Sequence, residues 1–203
     1  MTVSTRSPGS AEAHNSRALQ PSASGLQPAV SPPLAAYVHI PWCVKKCPYC
    51  DFNSHTSSSG LPETEYVDAL LADLDQQLRD GEARPLNSIF FGGGTPSLFS
   101  AASLGRVLQA LEARLGFAAG IEITLEANPG TFEQDKFAGY RTAGINRLSI
   151  GIQSFNAGHL KALGRIHDDA EALRAVDMAR RAGFDNLNLD LMHGLPGQTL
   201  EQA

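Results

Sequence analysis

"YVHIPWCVKKCPYCDFNSH", residues 37–55, holds every cysteine of the chain: Cys43, Cys47 and Cys50, spaced C-x3-C-x2-C. Three clustered thiols make a poor disulfide framework, because an odd number leaves one unpaired. Thiolates favour soft metals, so the cluster points to zinc or an iron–sulfur centre. Thiols kept for such work fit a reducing, cytoplasmic compartment. Structural zinc takes four ligands, so His39 or His55 would have to complete a Cys3His set. The other reading is a [4Fe–4S] cluster. Such clusters normally take four thiolates, so three would leave one iron open to a substrate or cofactor. Ligand counting alone leaves both readings open.

The rest of the chain narrows the setting. With 203 residues, 42% hydrophobic and 18% charged, the composition is that of an ordinary globular protein. A net charge of −5 supplies no basic field for nucleic acid. No apolar run is long enough for a transmembrane helix. Residues 1–34 are rich in Ser, Ala and Pro and poor in large apolar side chains. Such a segment buries too little surface to offset its chain entropy and is expected to be a disordered tail. It lacks the apolar core of a secretory signal. Its arginines and lone Glu12 fit an organellar presequence in charge, but its prolines break an amphipathic helix.

From residue 35 onward, short β-like runs alternate with helical patterns. Strands are expected at 36–40, 87–91, 121–126, 147–153 and 186–192. Between the first two, residues 63–80 carry Tyr66, Leu70, Leu74 and Leu78 at four-residue steps, an amphipathic helix. Residues 103–115 repeat the pattern with Leu104, Val107, Leu108, Leu111 and Leu115. A weaker helix is expected around 132–142. Another near 169–182 has Leu173, Val176 and Ala179 in phase, and Gly183 stops it. Alternation of this kind argues for a parallel α/β sheet, either doubly wound or a (β/α) barrel. Thr199 and Gln202 form a capping-box pattern that opens one more helix. A helix cannot stand on its first turn, so the chain reads as a barrel truncated after its fifth strand.

In parallel barrels the chemistry gathers at the C-terminal ends of the strands. The first strand delivers the cysteine loop to that rim, and the second Gly92-Gly93-Gly94-Thr95. The third ends at Glu126, the fourth at Gln153, and the fifth contains Asp190. Glycines there let backbone approach a ligand with no Cβ in the way. A phosphate loop is disfavoured, because no Lys follows the glycines. Glu126 and Asp190 are acceptors suited to an ammonium or a ribose hydroxyl. Taken singly, each carboxylate is as readily a plain rim group, and Arg165 a solvated helix-end cation. Tyr37 and His39 are assigned to opposite faces of the first strand, which would leave one of them in the core.

The cysteine spacing, with an aromatic residue before the last cysteine, resembles the signature of the radical S-adenosylmethionine superfamily. In that superfamily the open iron chelates the amino and carboxylate groups of S-adenosylmethionine. The reduced cluster then cleaves its sulfonium C–S bond to a 5′-deoxyadenosyl radical. "FFGGGTPS", "LEANPG", "RLSIGIQSF", "LGRIHD" and "NLDLMHGLPGQT" follow in an order similar to that of the oxygen-independent coproporphyrinogen III oxidases and their relatives. The likeness covers the chain from about Tyr37 to its end, so residues 35–203 are expected to form a partial, TIM-like radical S-adenosylmethionine core domain.

Residue by residue, the resemblance implies cluster ligation by Cys43, Cys47 and Cys50. It implies an S-adenosylmethionine site lined by Tyr37, Gly93 and Glu126. Tyr49, Gly94, Thr95, Gln153, Arg165 and Asp190 match positions that line this cofactor or a second molecule of it. The oxidases carry a further cysteine where this chain has Phe52. The form "CPYCDFNSH" is instead similar to the heme chaperones of the same family, the HemW type. That likeness implies a protein that binds heme and passes it to acceptors such as respiratory enzymes, with a separate reductant for the cluster. The alternative is oxidative decarboxylation of porphyrinogen propionates. A zinc-stabilised binding module is the remaining reading.

Overall fold

Strand β4 (Leu86–Gly93) shows why the sheet forms where it does. Leu86, Ile89 and Phe91 are buried, and the strand ends in glycines that are buried as well. It is flanked on both sides by parallel partners, β1 (Leu34–Ile40) and β5 (Phe117–Ala127). Parallel strands covered on both faces read as apolar runs of this kind. In this computed structural model the described residues are 31–57, 60–81, 83–130 and 136–203. The tail expectation for residues 1–30 and the start of the helix expected at 132–142 lie outside them.

The sheet continues through β6 (Arg147–Gln153) and β7 (Asn186–Leu191), in the order β1-β4-β5-β6-β7 with every pairing parallel. Each strand is added on the same side of the last. A doubly wound sheet would reverse direction at a switch point, so the order selects the partial (β/α) barrel. The intervening helices are α1 (Glu63–Asp80), α2 (Ala101–Leu115), α3 (Phe137–Ala143), α4 (Ala157–Ala162) and α5 (Asp169–Arg181). Neighbours in this layer pack together, α1 on α2, α2 on α3, and α3 on α5. Between helices and sheet lies one core in which Ile40, Phe91, Leu104, Leu125, Phe137, Leu148 and Phe184 are fully buried.

Local chemistry fixes the element ends. Ser100 caps α2 by accepting from Ser103 N, and Glu63 accepts from both Ser100 N and Ser100 Oγ, which ties the starts of α1 and α2 together. Asp168 and Glu171 form a complete capping box at α5. The Thr199–Gln202 box is formed too, around a single 3-10 turn, Leu200–Gln202.

Several boundaries differ from the sequence reading for identifiable reasons. Strand β5 begins at Phe117, because Leu86 N donates to Gly116 O and Leu86 pairs with Phe117 before the backbone breaks at Gly120. The buried stripe of α5 is Ala172, Ala175 and Ala179, while Leu173 is 58% exposed. Small side chains let that helix approach the sheet closely; of the expected stripe, Ala179 is buried and Val176 packs against the core, and only Leu173 faces out. Helix α4 was not foreseen, being six residues capped by Asn156. Nor was the pair β2 (Trp42–Cys43) and β3 (His55–Thr56), which clamps both ends of the cysteine loop.

Asn146 splices β5 to β6: its Oδ1 accepts from Ile123 N at 2.8 Å and its Nδ2 donates to Ile121 O at 2.7 Å. Asn146→Ala leaves both backbone groups without these partners in a partly buried site. The expected cost is about 1–3 kcal/mol, read as a lower urea midpoint with an unchanged slope. A midpoint equal to that of the wild type would show that the splice contributes nothing.

Candidate cofactor and cluster site

The strand ends meet around one cavity of about 400 Å³. All three cysteines line it, together with Tyr49, Phe52, Gly93, Gly94, Thr95, Glu126, Asn128, Gln153, Arg165 and Asp190. None of the thiols is in a disulfide. Of the sequence-derived site residues, only Tyr37 does not line this cavity. It stands at the rim beside it, 61% exposed.

The glycines at the end of β4 are fixed by space. Gly93 has φ +122, and a Cβ there would lie 2.7 Å from the His39 ring and 2.9 Å from Ile40 O. A Cβ on Gly94 would lie 2.6 Å from Trp42 O and 3.0 Å from Cys43 Sγ. Hydrogen bonds lock the same approach: Gly94 N donates to Ile40 O (2.8 Å) and Thr95 N to Trp42 O (2.7 Å). Gly93 N donates to Glu126 Oε2 (3.1 Å). These three N–H groups are engaged within the protein, so the loop is no anion nest. It offers a ligand room and carbonyl acceptors.

Tyr37 and His39 share a face, contrary to the assignment above. Tyr37 Oη lies 3.3 Å from His39 Nδ1. Residues two apart on a regular strand point the same way, and the buried alternates are Val38 and Ile40. The second ring nitrogen of His39 meets Asn53 O at 2.8 Å, and His55 Nε2 meets Asn53 Oδ1 at 3.2 Å. Both histidines are therefore committed to the loop's own polar groups. Among the described residues, no three His, Cys, Asp or Glu side chains form a closed metal cage. The three cysteines line the cavity from one loop.

Arg165 is no solvated cation. Its Nη2 donates to Gly151 O (2.5 Å) and to Asn128 Oδ1 (2.8 Å), and its Nη1 reaches Cys47 Sγ (3.7 Å). Asn128 Nδ2 donates to Thr95 Oγ1 at 3.2 Å, so a polar chain links the ends of β4, β5 and β6 to the cysteine loop. Gly151 makes room for it: a Cβ there would lie 3.0 Å from Gln153 Nε2 and 3.4 Å from Arg165 Nη2. Gln153 itself sits at φ +69, the one described non-glycine residue in the left-handed region. Strain of that kind persists where surrounding contacts hold it and clusters at functional sites. Across the cavity, Asp190 accepts from Asn188 Nδ2 (2.6 Å) and Ser149 Oγ (3.2 Å).

Asn128, Gly151, Ser149 and Asn188 were not singled out from the sequence. Asn128 stands two residues beyond Glu126 in "LEANPG" and Gly151 two before Gln153 in "RLSIGIQSF". That adjacency was the available signal.

Burial pushes the Glu126 carboxyl above its ordinary range, and the neighbouring Asp190 charge adds to this, while the Gly93 N–H and His39 oppose it. Burial also raises the Tyr37 hydroxyl, with the Glu126 charge adding to it. Tyr49 is raised chiefly by burial, against the opposing Arg165 charge, with Cys47 adding to the rise. A partly desolvated carboxylate that has no cation of its own is a natural acceptor for an ammonium group.

Because its folded value is raised, Glu126 contributes stability that is complete below its unfolded value near 4.5 and is lost as pH rises through the folded value. Glu126→Gln removes this titration and keeps an acceptor for Gly93 N. The ligand-free variant is expected to lose less stability than the wild type between pH 4.5 and neutrality. Parallel pH–stability curves from denaturant titrations would contradict the assignment.

Comparison with known proteins agrees with this geometry. The family model described as "Radical SAM superfamily" matches residues 37–203. A heme chaperone HemW of Haemophilus influenzae is 57% identical over 176 residues, covering 85% of this chain and 46% of its own length. HemW of Escherichia coli is 55% identical over 172 residues, with the same shares. Among solved structures, the coproporphyrinogen III oxidase HemN of Escherichia coli matches with a TM-score of 0.75 and 34% identity, over 84% of this chain and 39% of that one. The chain spans about half the length of the curated relatives it matches. From Tyr37 to Ala203, then, the chain belongs to the radical S-adenosylmethionine superfamily.

Proposed function

We propose that the chain acts as a heme chaperone. It would hold a [4Fe–4S] cluster through Cys43, Cys47 and Cys50, bind S-adenosylmethionine in the adjoining cavity, and bind heme for delivery to acceptor proteins in the cytoplasm. The observation that carries the chaperone reading is Phe52. It lines the cavity and is 61% exposed at the position where the oxidases resembled here carry a further cysteine. The likeness to chaperones named HemW supports it.

The site residues divide the work by chemistry. The cysteine loop would hold the cluster through three thiolates. When bound, the cluster supplies one electron at a time and an open iron for an amino and a carboxylate group. Glu126 offers its desolvated carboxylate to the ammonium, and Gly93 and Gly94 keep the approach clear. Asp190, held by Ser149 and Asn188, would offer an acceptor to a ribose hydroxyl. Arg165 donates to the Cys47 sulfur, and hydrogen bonds to sulfur are among the levers a protein has on cluster potential.

The oxidase reading is favoured by one observation, the 0.75 TM-score to the Escherichia coli oxidase. Porphyrinogen decarboxylation would need the same cluster and the same cofactor, so the two readings part only at the substrate.

Anaerobic reconstitution is expected to give about four irons per chain and a brown chromophore, and Cys47→Ala to abolish both. Stoichiometric zinc without the chromophore would overturn the cluster assignment. The full-length protein should bind heme and form no protoporphyrinogen from coproporphyrinogen III. Product formation under reducing, anaerobic conditions would make the chain an oxidase.

A further inference from the structure

A second recess, of about 290 Å³, lies between the cysteine loop and the segment running from α4 into the cap of α5. Three cations from separate points of the chain converge on it: Lys45 from the cysteine loop, Lys161 from α4, and Arg165 from the turn that follows. Among the described residues, neither lysine ammonium has an ion pair or a hydrogen bond. The Nε of Arg165 is buried without a partner. The lining offers little to balance this charge. Its one carboxylate, Asp168, caps α5 and offsets one of the three cations. Its histidine, His167, is pushed below the usual imidazole range by burial and by the Arg165 charge, and its Nε2 pairs with Ile152 O at 3.0 Å. Two lysines without an ion pair beside the partly engaged Arg165, in a chain of net charge −5, make a place suited to negative charge.

An apolar surface adjoins the charge. Lys45, Gly164, Arg165 and His167 also border a smaller neighbouring recess, whose lining includes Val44 and Ile166. These two side chains are 56% and 68% exposed. Free phosphate or a small hydrophilic anion would have no use for them. A flat apolar body that carries carboxylates would cover Val44 and Ile166 and place its carboxylates between the lysines.

We propose that this recess is a carboxylate subsite for the propionate side chains of heme or a related porphyrin, with Lys45 and Lys161 as the pairing cations. The proposal rests on the heme-binding reading above and adds where, and by which groups, the ligand's charged edge is held. Lys45 and Arg165 line both this recess and the cofactor cavity, so the two adjoin at the cysteine loop. A porphyrin held there would sit beside that loop.

The test is a titration of the reconstituted 203-residue chain, followed in the Soret band, with heme and with heme dimethyl ester, whose propionates are neutral. Wild type is expected to bind heme about tenfold more tightly than the ester, and Lys161→Glu to lose about that factor for heme while its affinity for the ester stays within about twofold. In a Lys45→Gln, Lys161→Gln protein, esterification should make no further difference, the non-additivity expected of groups that touch. Iron content serves as the control for cluster loading. Lys161 lies outside the cysteine loop, so Lys161→Glu decides the matter even if the double variant loads poorly.

Equal wild-type affinity for heme and ester overturns the subsite while leaving the heme reading intact. So does an equal loss of both ligands in Lys161→Glu. Lysine variants with unchanged heme affinity that no longer retain an acidic protein would assign the face to a protein partner instead. Failure of the wild-type chain to bind either ligand overturns the subsite, and with it heme binding by these 203 residues.

Discussion

The close approach of two bare backbones, Gly93-Gly94 and the chain entering the cysteine loop, is the constraint on which the site depends. Two hydrogen bonds, Gly94 N to Ile40 O and Thr95 N to Trp42 O, hold the segments at a distance that no Cβ would tolerate. The first cysteine is thereby pinned against the end of β4, and the β2–β3 pair closes the loop behind it. A loop of eight residues bearing three thiols would otherwise need its order imposed by the metal centre. Here the sheet imposes part of it beforehand, which lowers the entropy lost on binding.

The rest of the rim follows from the all-parallel order. Every strand points its C-terminal end the same way, so each contributes one group to a common cavity without any long connection. The groups are then tied to one another. Thr95, Asn128, Arg165 and Cys47 form a chain of polar contacts across three strand ends and the cysteine loop. Asp190, Ser149 and Asn188 form a second set on the opposite side. The carboxylate of Glu126 joins the cavity to the glycine turn.

Much of this was legible in the sequence, because period and punctuation carry it. Four of the five sheet strands lay within two residues of the expected place, and the strand-end polar groups did gather at one rim. What sequence reasoning could not supply were features set by partners distant in the chain. The early start of β5 depends on Leu86, and the alanine stripe of α5 on how closely the helix meets the sheet. Arg165 looked like a surface cation because its partners, Asn128 and Gly151, are 37 and 14 residues away. The Tyr37 and His39 assignment failed for a simpler reason, a strand's period of two applied in the wrong phase. Asn128 and Gly151 escaped notice because neither residue type signals chemistry on its own. One acts by bridging and the other by having no side chain.

On the proposed reading, three thiolates would leave one iron open to the cavity that Gly93, Gly94 and Glu126 help to line. Mössbauer spectra of the 57Fe-reconstituted chain, recorded with and without S-adenosylmethionine, test it directly. Ligation at one site should move about a quarter of the iron signal to a higher isomer shift and leave the remainder in place. A spectrum unchanged by the cofactor would contradict the account, because the cavity beside the cysteine loop would then not be where the cofactor meets the metal.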